Sequence, residues 1–221
     1  MKKSFAIIGL GRFGLKLVEE LSKAKVDVMA LDLQEENVIK ASEFIDNAYV
    51  CDTTNEVALK ELGVNNVDHA VVAFGSNLQN TIMTTIILKE FGVHKITVRV
   101  DDDFYIPVIK KLGATDIVSP QKIAGIRLAN KILSDNFIDF FNIDQEFSVI
   151  EIVVRPDVES MTIQDLNPRN NYGVNLLLIR RDQKSFSPTA IDNIIANDHL
   201  FVFGTTVKVS KFERLVNASK E

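Results

Sequence analysis

From Ser4 to Asp32 the chain passes through an apolar stretch, three glycines at fixed spacing, a helical pattern and a second apolar stretch closed by a carboxylate. Phe5-Ala6-Ile7-Ile8 reads as a buried strand, Gly9-Leu10-Gly11-Arg12-Phe13-Gly14 as a turn, Lys16 to Leu21 as a helix, and Val26 to Leu31 as the next strand. Each glycine answers a steric demand: Gly9 takes the tight turn, Gly11 leaves room for a pyrophosphate, and Gly14 lets the helix lie against the strand. The unpaired N–H groups at the helix start then attract the anion. Asp32 ends the second strand at about the 20-residue distance where an acidic side chain takes ribose hydroxyls, which favours a ribose without a 2′-phosphate. A lone G-x-G-x-x-G is a weak signal. With a strand before it, a helix after it and the carboxylate beyond, it predicts a nucleotide site rather than a bare strand-to-helix turn.

The alternation continues for most of the first half. Glu35 to Phe44 has helical spacing and Ala48 to Cys51 is a short buried strand; Asp52-Thr53-Thr54 supplies an N-cap for a helix over Asn55 to Leu62. Asp68 to Phe74 is an apolar strand ending at Gly75, Asn77 to Phe91 a long helix, Lys95 to Val100 a strand, Phe104 to Leu112 a helix and Thr115 to Val118 a sixth strand. Apolar strands alternating with amphipathic helices predict an α/β fold with a doubly wound parallel sheet. In such a sheet ligands bind at the carboxyl ends of the strands, so Asp52, Thr53, Gly75, Asn77 and Arg99 are candidates for the same rim as the glycine turn.

After Pro120 the pattern changes. Gln121 to Ser134 is helical with apolar residues at Ile123, Ile126, Leu128, Ile132 and Leu133, and no seventh strand returns to the sheet. A chain leaving its sheet on an apolar helix packs that helix on a partner or a second domain. Asp135 to Phe141 reads as a short second helix. From Phe147 the strands are short and alternating, at Val149 to Val154, Val174 to Arg180 and His199 to Gly204, with a helical turn at Thr162 to Leu166 and a closing helix at Val209 to Val216. The expected division is 1–119, a crossover helix and linker at 120–143, and a small α+β unit at 144–221. A unit of that size gains from pairing with a copy of itself.

Composition narrows the function. A net charge of −5 argues against a nucleic-acid partner, which needs a basic face. The single cysteine, Cys51, fits a reducing compartment. Met1-Lys2-Lys3 resembles the charged end of a leader, but Gly9, Gly11 and Arg12 break the apolar run behind it, so a cytosolic location is expected.

Phe5 to Gly14, Asp52-Thr53-Thr54, Ala73-Phe74-Gly75-Ser76-Asn77, Leu112-Gly113-Ala114-Thr115 and Leu166 to Asn175 together resemble the RCK (KTN) regulatory subunits of Ktr/Trk potassium uptake systems. The resemblance covers nearly the whole chain and implies a Rossmann-like N-terminal domain, a crossover helix and a C-terminal dimerisation domain. It further implies a homo-oligomer of dimers assembling into an octameric ring beneath a membrane potassium-translocating subunit. ATP would favour the conducting state and ADP the closed one, with NAD(H) as an alternative occupant. On this resemblance the nucleotide site comprises Gly9, Gly11, Arg12, Phe13, Gly14, Asp32, Asp52, Thr53, Gly75, Asn77 and Arg99, with Arg12 reaching the terminal phosphate of a neighbouring subunit's nucleotide. Cyclic di-AMP, which inhibits Gram-positive relatives, would meet Ile163, Pro168, Arg169, Asn170 and Asn175; Pro168 stands where an aliphatic residue is more usual. Family members often carry a glutamate after the proline at 120 that helps hold a cation. This chain has Gln121, whose amide offers no charge, so no metal ligand is assigned.

The competing reading is an NAD-dependent oxidoreductase. His69, His94 and His199 show no spacing to a nucleophile or metal ligand, so a non-enzymatic role is expected.

Overall fold

The computed structural model describes residues 2–75, 77–133, 137–143 and 146–217. The chain divides into two compact units, Met1–Lys122 and Ile123–Glu221.

In the first unit six strands form one sheet: β1 (Ser4–Ile8), β2 (Asp27–Asp32), β3 (Ala48–Val50), β4 (His69–Val72), β5 (Lys95–Arg99) and β6 (Asp116–Val118). Their spatial order is β3-β2-β1-β4-β5-β6 and every pairing is parallel. Helices α1 (Arg12–Lys23), α2 (Glu35–Ser42), α3 (Glu56–Glu61), α4 (Leu78–Glu90) and α5 (Ile106–Leu112) make the crossovers, as parallel neighbours require. The side-chain period of two sorts β1 between two cores. Ala6 and Ile8 join Leu31, Val72 and Val98 on one face, while Ile7 joins Val18, Val28, Ala30 and Val71 on the other. Ile7 and Ile8 are fully buried, each contributing about 1.5–3 kcal/mol by leaving water. With both faces covered, the central strands read as continuous apolar runs; the edge strand β3, expected to be buried, instead exposes Tyr49 and Val50. The chain winds outward from β1 through β2 and β3, then returns to β1's other side as β4. The switch point therefore lies between Ile8 and Val72, which are paired in register at the carboxyl ends of their strands.

The expected cap of α3 moves by one residue. Asn55, not Asp52-Thr53-Thr54, is the N-cap, its side-chain oxygen accepting from the N–H groups of Val57 and Ala58. Asp52 instead closes its own turn by accepting from the N–H and hydroxyl of Thr54.

Helix α6 (Pro120–Leu133) begins in the first unit and continues into the second. There β7 (Phe137–Asn142), β8 (Phe147–Val153), β10 (Asn175–Arg181), β11 (Lys184–Phe186) and β13 (His199–Thr205) form an antiparallel sheet of order β11-β10-β13-β8-β7. A small ladder pairs β9 (Met161–Thr162) with β12 (Asn193–Ile194). One sheet face, carrying Ile150, Ile152, Leu200 and Val202, is covered by Val209, Phe212 and Val216 of α9 (Thr206–Val216).

The expectation of a short helix over Asp135 to Phe141 is wrong for its described part. Phe137–Asn142 is the edge strand β7, paired antiparallel to β8 through Phe140 opposite Ile150 and Phe141 opposite Val149. Aromatic and β-branched residues fit a pleated surface better than a helix, and β8 offers them a ladder. Residues 135 and 136 lie outside the described residues. Two further short helices, α7 (Ile163–Leu166) and α8 (Pro168–Tyr172), meet at Asn167, whose backbone is left-handed at φ 43°. Pro168 at the first position of α8 and Gly173 just past its end are the signals by which α8 could have been predicted.

Candidate functional site

The strand-to-helix turn is built as its glycines require. Gly9 has φ 94°, and a Cβ there would lie 2.8 Å from the Phe74 ring. Gly14 presses its Cα on the turn below: a Cβ would lie 1.9 Å from the Gly9 carbonyl oxygen. Gly11 differs from both. Its backbone (φ −63°, ψ −174°) suits any residue, and a Cβ added to it would meet no atom within 4 Å. The space in front of Gly11 is open, which is the property a backbone needs to take a phosphate closely. As N-cap of α1, Gly11 brings no side chain to the first N–H groups of the helix, and that first turn holds no acidic residue. Those N–H groups and the positive end of the helix dipole face outward for an anion.

Asp32 fixes the turn from the side. Only 8% exposed, it accepts from the Leu10 N–H at Oδ2 (2.6 Å) and from the Gln34 N–H at Oδ1 (2.8 Å). A longer bond, 3.3 Å, comes from the Asn37 amide. A carboxylate has about four lone-pair sites, so with three taken it retains one, and the Asn37 bond is the one a ribose hydroxyl most readily replaces.

The other predicted residues are distributed along the same rim. Asp52 is exposed after β3, and the Thr54 hydroxyl, then the Thr54 N–H, hold its carboxyl below the usual carboxylate range. Thr53 is buried with its hydroxyl 3.2 Å from that of Thr84 on α4, which also donates to the Thr53 carbonyl at 3.0 Å, so both groups serve the packing. Asn77 caps α4 by accepting from the Asn80 N–H. Gly75 lies under the Arg99 guanidinium, since a Cβ on Gly75 would come 3.1 Å from Nη2. Arg99 also lies over the Phe13 ring, 5.6 Å from its centroid, and makes a two-pronged pair with Asp101 at 2.9 and 3.0 Å. Sequence reasoning missed Asp101, although the opposite charge two residues on from Arg99 was a local signal, and it placed no contact between Arg99 and Phe13, which nothing local announces. Arg12 is exposed, and among the described residues its guanidinium forms no intramolecular hydrogen bond or ion pair. The chemistry available is anion and ribose binding.

In the second unit a cavity of about 640 Å³ gathers Ile163 from α7, Pro168 and Arg169 from α8, Asn175 from β10, and Pro188 and Thr189 from the loop that follows β11. That volume falls in the range of roughly 300–1,000 Å³ usual for small-molecule sites. Four of the five residues expected there line it. Asn170 does not; its amide donates to Asn167 Oδ1 instead.

The histidines acquire structural partners. His69 shares a hydrogen bond with the Thr97 hydroxyl, and burial lowers its pKa. His199 Nδ1 lies 2.7 Å from Glu151 Oε1 and 3.0 Å from Arg180 on one face of the antiparallel sheet. Among the described residues no hydroxyl or thiol bonds to His199, and no group of His, Cys, Asp and Glu is arranged to hold a metal ion.

Two family models match the chain, the TrkA-N domain over residues 5–120 and the TrkA-C domain over residues 149–217. The chain is 41% identical over 221 residues to Ktr system potassium uptake protein C of Bacillus subtilis (strain 168), covering 100% of both. It is 32% identical to Ktr system potassium uptake protein A of the same organism, covering 96% of each. Among solved structures it is similar to the GsuK channel bound to NAD, with a TM-score of 0.68 and 13% identity over 100% of this chain and 40% of that one. At that identity the likeness speaks for the fold.

Proposed function

The chain belongs to the TrkA-N/TrkA-C (RCK) family of Ktr-system potassium uptake proteins, and from that premise we propose that it is the nucleotide-sensing regulatory subunit of such a system. The open cradle at Gly11, with Asp32 beside it, carries the reading: the turn is held in its binding shape by Leu10 and Asp32, and the space before it is free. ATP and ADP are the proposed occupants, with NAD(H) the alternative. Their different phosphate tails would favour different arrangements of the assembly, since a ligand shifts an equilibrium only through its differential affinity for the two states. The unpaired, exposed Arg12 suits a role across a subunit seam, reaching a neighbour's terminal phosphate.

The proposed organisation is a nucleotide domain at 1–119, a crossover helix and linker at 120–143, and a ligand-binding dimerisation domain at 144–221. Exposed Ile123, Ile126, Leu128 and Ile132 on α6 support the crossover, because an apolar helix left in water calls for a second copy. An octameric ring under a membrane potassium-translocating subunit completes the proposal. No described helix is long and apolar enough to cross a membrane, which suits a subunit peripheral to the membrane on its cytoplasmic side. A non-catalytic role is part of the same reading.

Calorimetric titration of the unmodified protein and Gly11→Ala tests it. The unmodified protein is expected to bind ATP and ADP. Gly11→Ala should lose at most about 1 kcal/mol of stability, the cost of an alanine N-cap, while its affinity for both falls about tenfold or more. Equal binding by the two proteins would remove the phosphates from this turn.

For the second unit we propose cyclic di-AMP in the cavity at Arg169, paired across a dimer. Arg169 is exposed at the lip and Pro168 is buried in the wall. Arg169→Ala is expected to weaken cyclic di-AMP about tenfold, the loss of one charge-assisted contact, and to leave ATP affinity unchanged. A parallel loss of both ligands would count against two separate sites.

A further inference from the structure

The carboxyl ends of β4 and β5 lie on the side of the switch point where the second half of a dinucleotide would pass, opposite the adenosine side at β2 and β3. In this chain that ground is occupied. The Arg99 guanidinium lies on Gly75 and over Phe13, with its side chain only 12% exposed. Its Nε and Nη2 are engaged by both oxygens of Asp101. The Gln121 amide, oriented to satisfy its neighbours, donates to Asp101 Oδ1 at 3.0 Å and accepts from Arg99 Nη2. The cavity left beside Arg99 is about 210 Å³, below the roughly 300 Å³ at which small-molecule sites begin.

We propose that Arg99 is the specificity residue of the nucleotide site, selecting a nucleoside polyphosphate tail against a nicotinamide riboside, with Asp101 as its resident stand-in anion. This rests on the nucleotide reading of the glycine turn. A carboxylate held in two-pronged fashion by a guanidinium offers the planar acceptor pair that two phosphate oxygens also offer. Asp101 is 36% exposed, so it can turn to water when a phosphate, carrying more charge, takes its place. Gln121 steadies the pair without adding charge, so the guanidinium keeps a single counter-charge to be exchanged. A neutral or cationic nicotinamide offers nothing to displace Asp101. It would have to break the Arg99–Asp101 pair and the stacking on Phe13 without replacing either.

The test is calorimetric titration of ATP, ADP and NADH into the full chain, unmodified and as Arg99→Gln and Asp101→Asn. Loss of a charge-assisted bond to phosphate predicts that Arg99→Gln weakens ATP about tenfold or more, weakens ADP less, and leaves NADH equal or tighter. Asp101→Asn removes the competitor and is expected to tighten ATP about threefold with less effect on ADP, an opposite sign that no loss of folding can mimic. An ATP-to-NADH preference unchanged in both variants, or NADH binding the unmodified protein as tightly as ATP, overturns the proposal while leaving the nucleotide site in place. Absence of any ATP or ADP binding by the unmodified protein overturns both.

Discussion

Gly14→Ala is expected to cost the first unit about 3 kcal/mol or more and to lower its thermal midpoint by several degrees or abolish its folding. The methyl group would sit 1.9 Å from the Gly9 carbonyl oxygen, 3.0 Å from the Gly9 carbonyl carbon and 3.3 Å from the Ala73 Cβ. None of these is the free end of a flexible side chain, so the strain must be relieved by moving main chain. If α1 lifts, it uncovers Val18, which is fully buried against the face of the sheet that also holds Ile7. If the turn moves instead, it disturbs the Gly9 N–H bond to the Leu31 carbonyl and the Leu10 N–H bond to Asp32, which extend the β1–β2 ladder past Ile8. Against a total domain stability of about 5–15 kcal/mol, such a loss is visible in any denaturation curve. Circular dichroism melts of Gly14→Ala beside Gly11→Ala make the comparison, two alanines three residues apart in the same turn. Similar melting of the two proteins would mean that the close approach at Gly14 is not what holds α1 to the sheet.

How far the residues alone reveal this molecule depends on how local each signal is. The first sheet was legible because both faces of its central strands β1, β2, β4 and β5 are covered, leaving apolar runs between helices. Its glycine turn was legible because the steric demands fall within six consecutive residues. Strand β7 was not: Phe-Ile-Asp-Phe-Phe suits a short helix or a strand, and the choice is made by pairing with Phe147–Val153. The candidate site divides in the same way. Asp32 could be read as a ribose ligand from its place after β2, but its bond to the Leu10 N–H bridges 22 positions of sequence. Thr53 was rightly placed after β3, yet its hydroxyl is drawn to Thr84 on a helix 31 residues on. The clamp on Arg99 brings Phe13 of α1 and Gln121 of α6 to the local Arg99–Asp101 pair after β5, and those two long-range contacts exist only once the sheet has formed.

Asp32→Ala is expected to weaken ATP and ADP about a hundredfold and to cost about 2–4 kcal/mol of stability, because on the proposed reading one carboxylate serves both the turn and the ligand. Its removal leaves the N–H of Leu10, a residue 1% exposed, without an acceptor, and frees the Gln34 N–H at the start of α2. The two effects are separated by Asp32→Asn. That side chain still offers one oxygen, but its NH2 must face either the Leu10 or the Gln34 N–H, donor against donor, so stability should fall by less than in the alanine variant. Binding is resolved with 2′,3′-dideoxy-ATP, which lacks the hydroxyls a carboxylate would accept. The unmodified protein is expected to bind it much more weakly than ATP, whereas Asp32→Asn should distinguish the two poorly. The ratio of affinities for ATP and the dideoxy compound, measured by titration in both proteins, isolates the ribose contact from the support of the turn. A ratio that survives the substitution unchanged would leave Asp32 as a brace for Leu10 alone and would move ribose recognition to another residue on the rim.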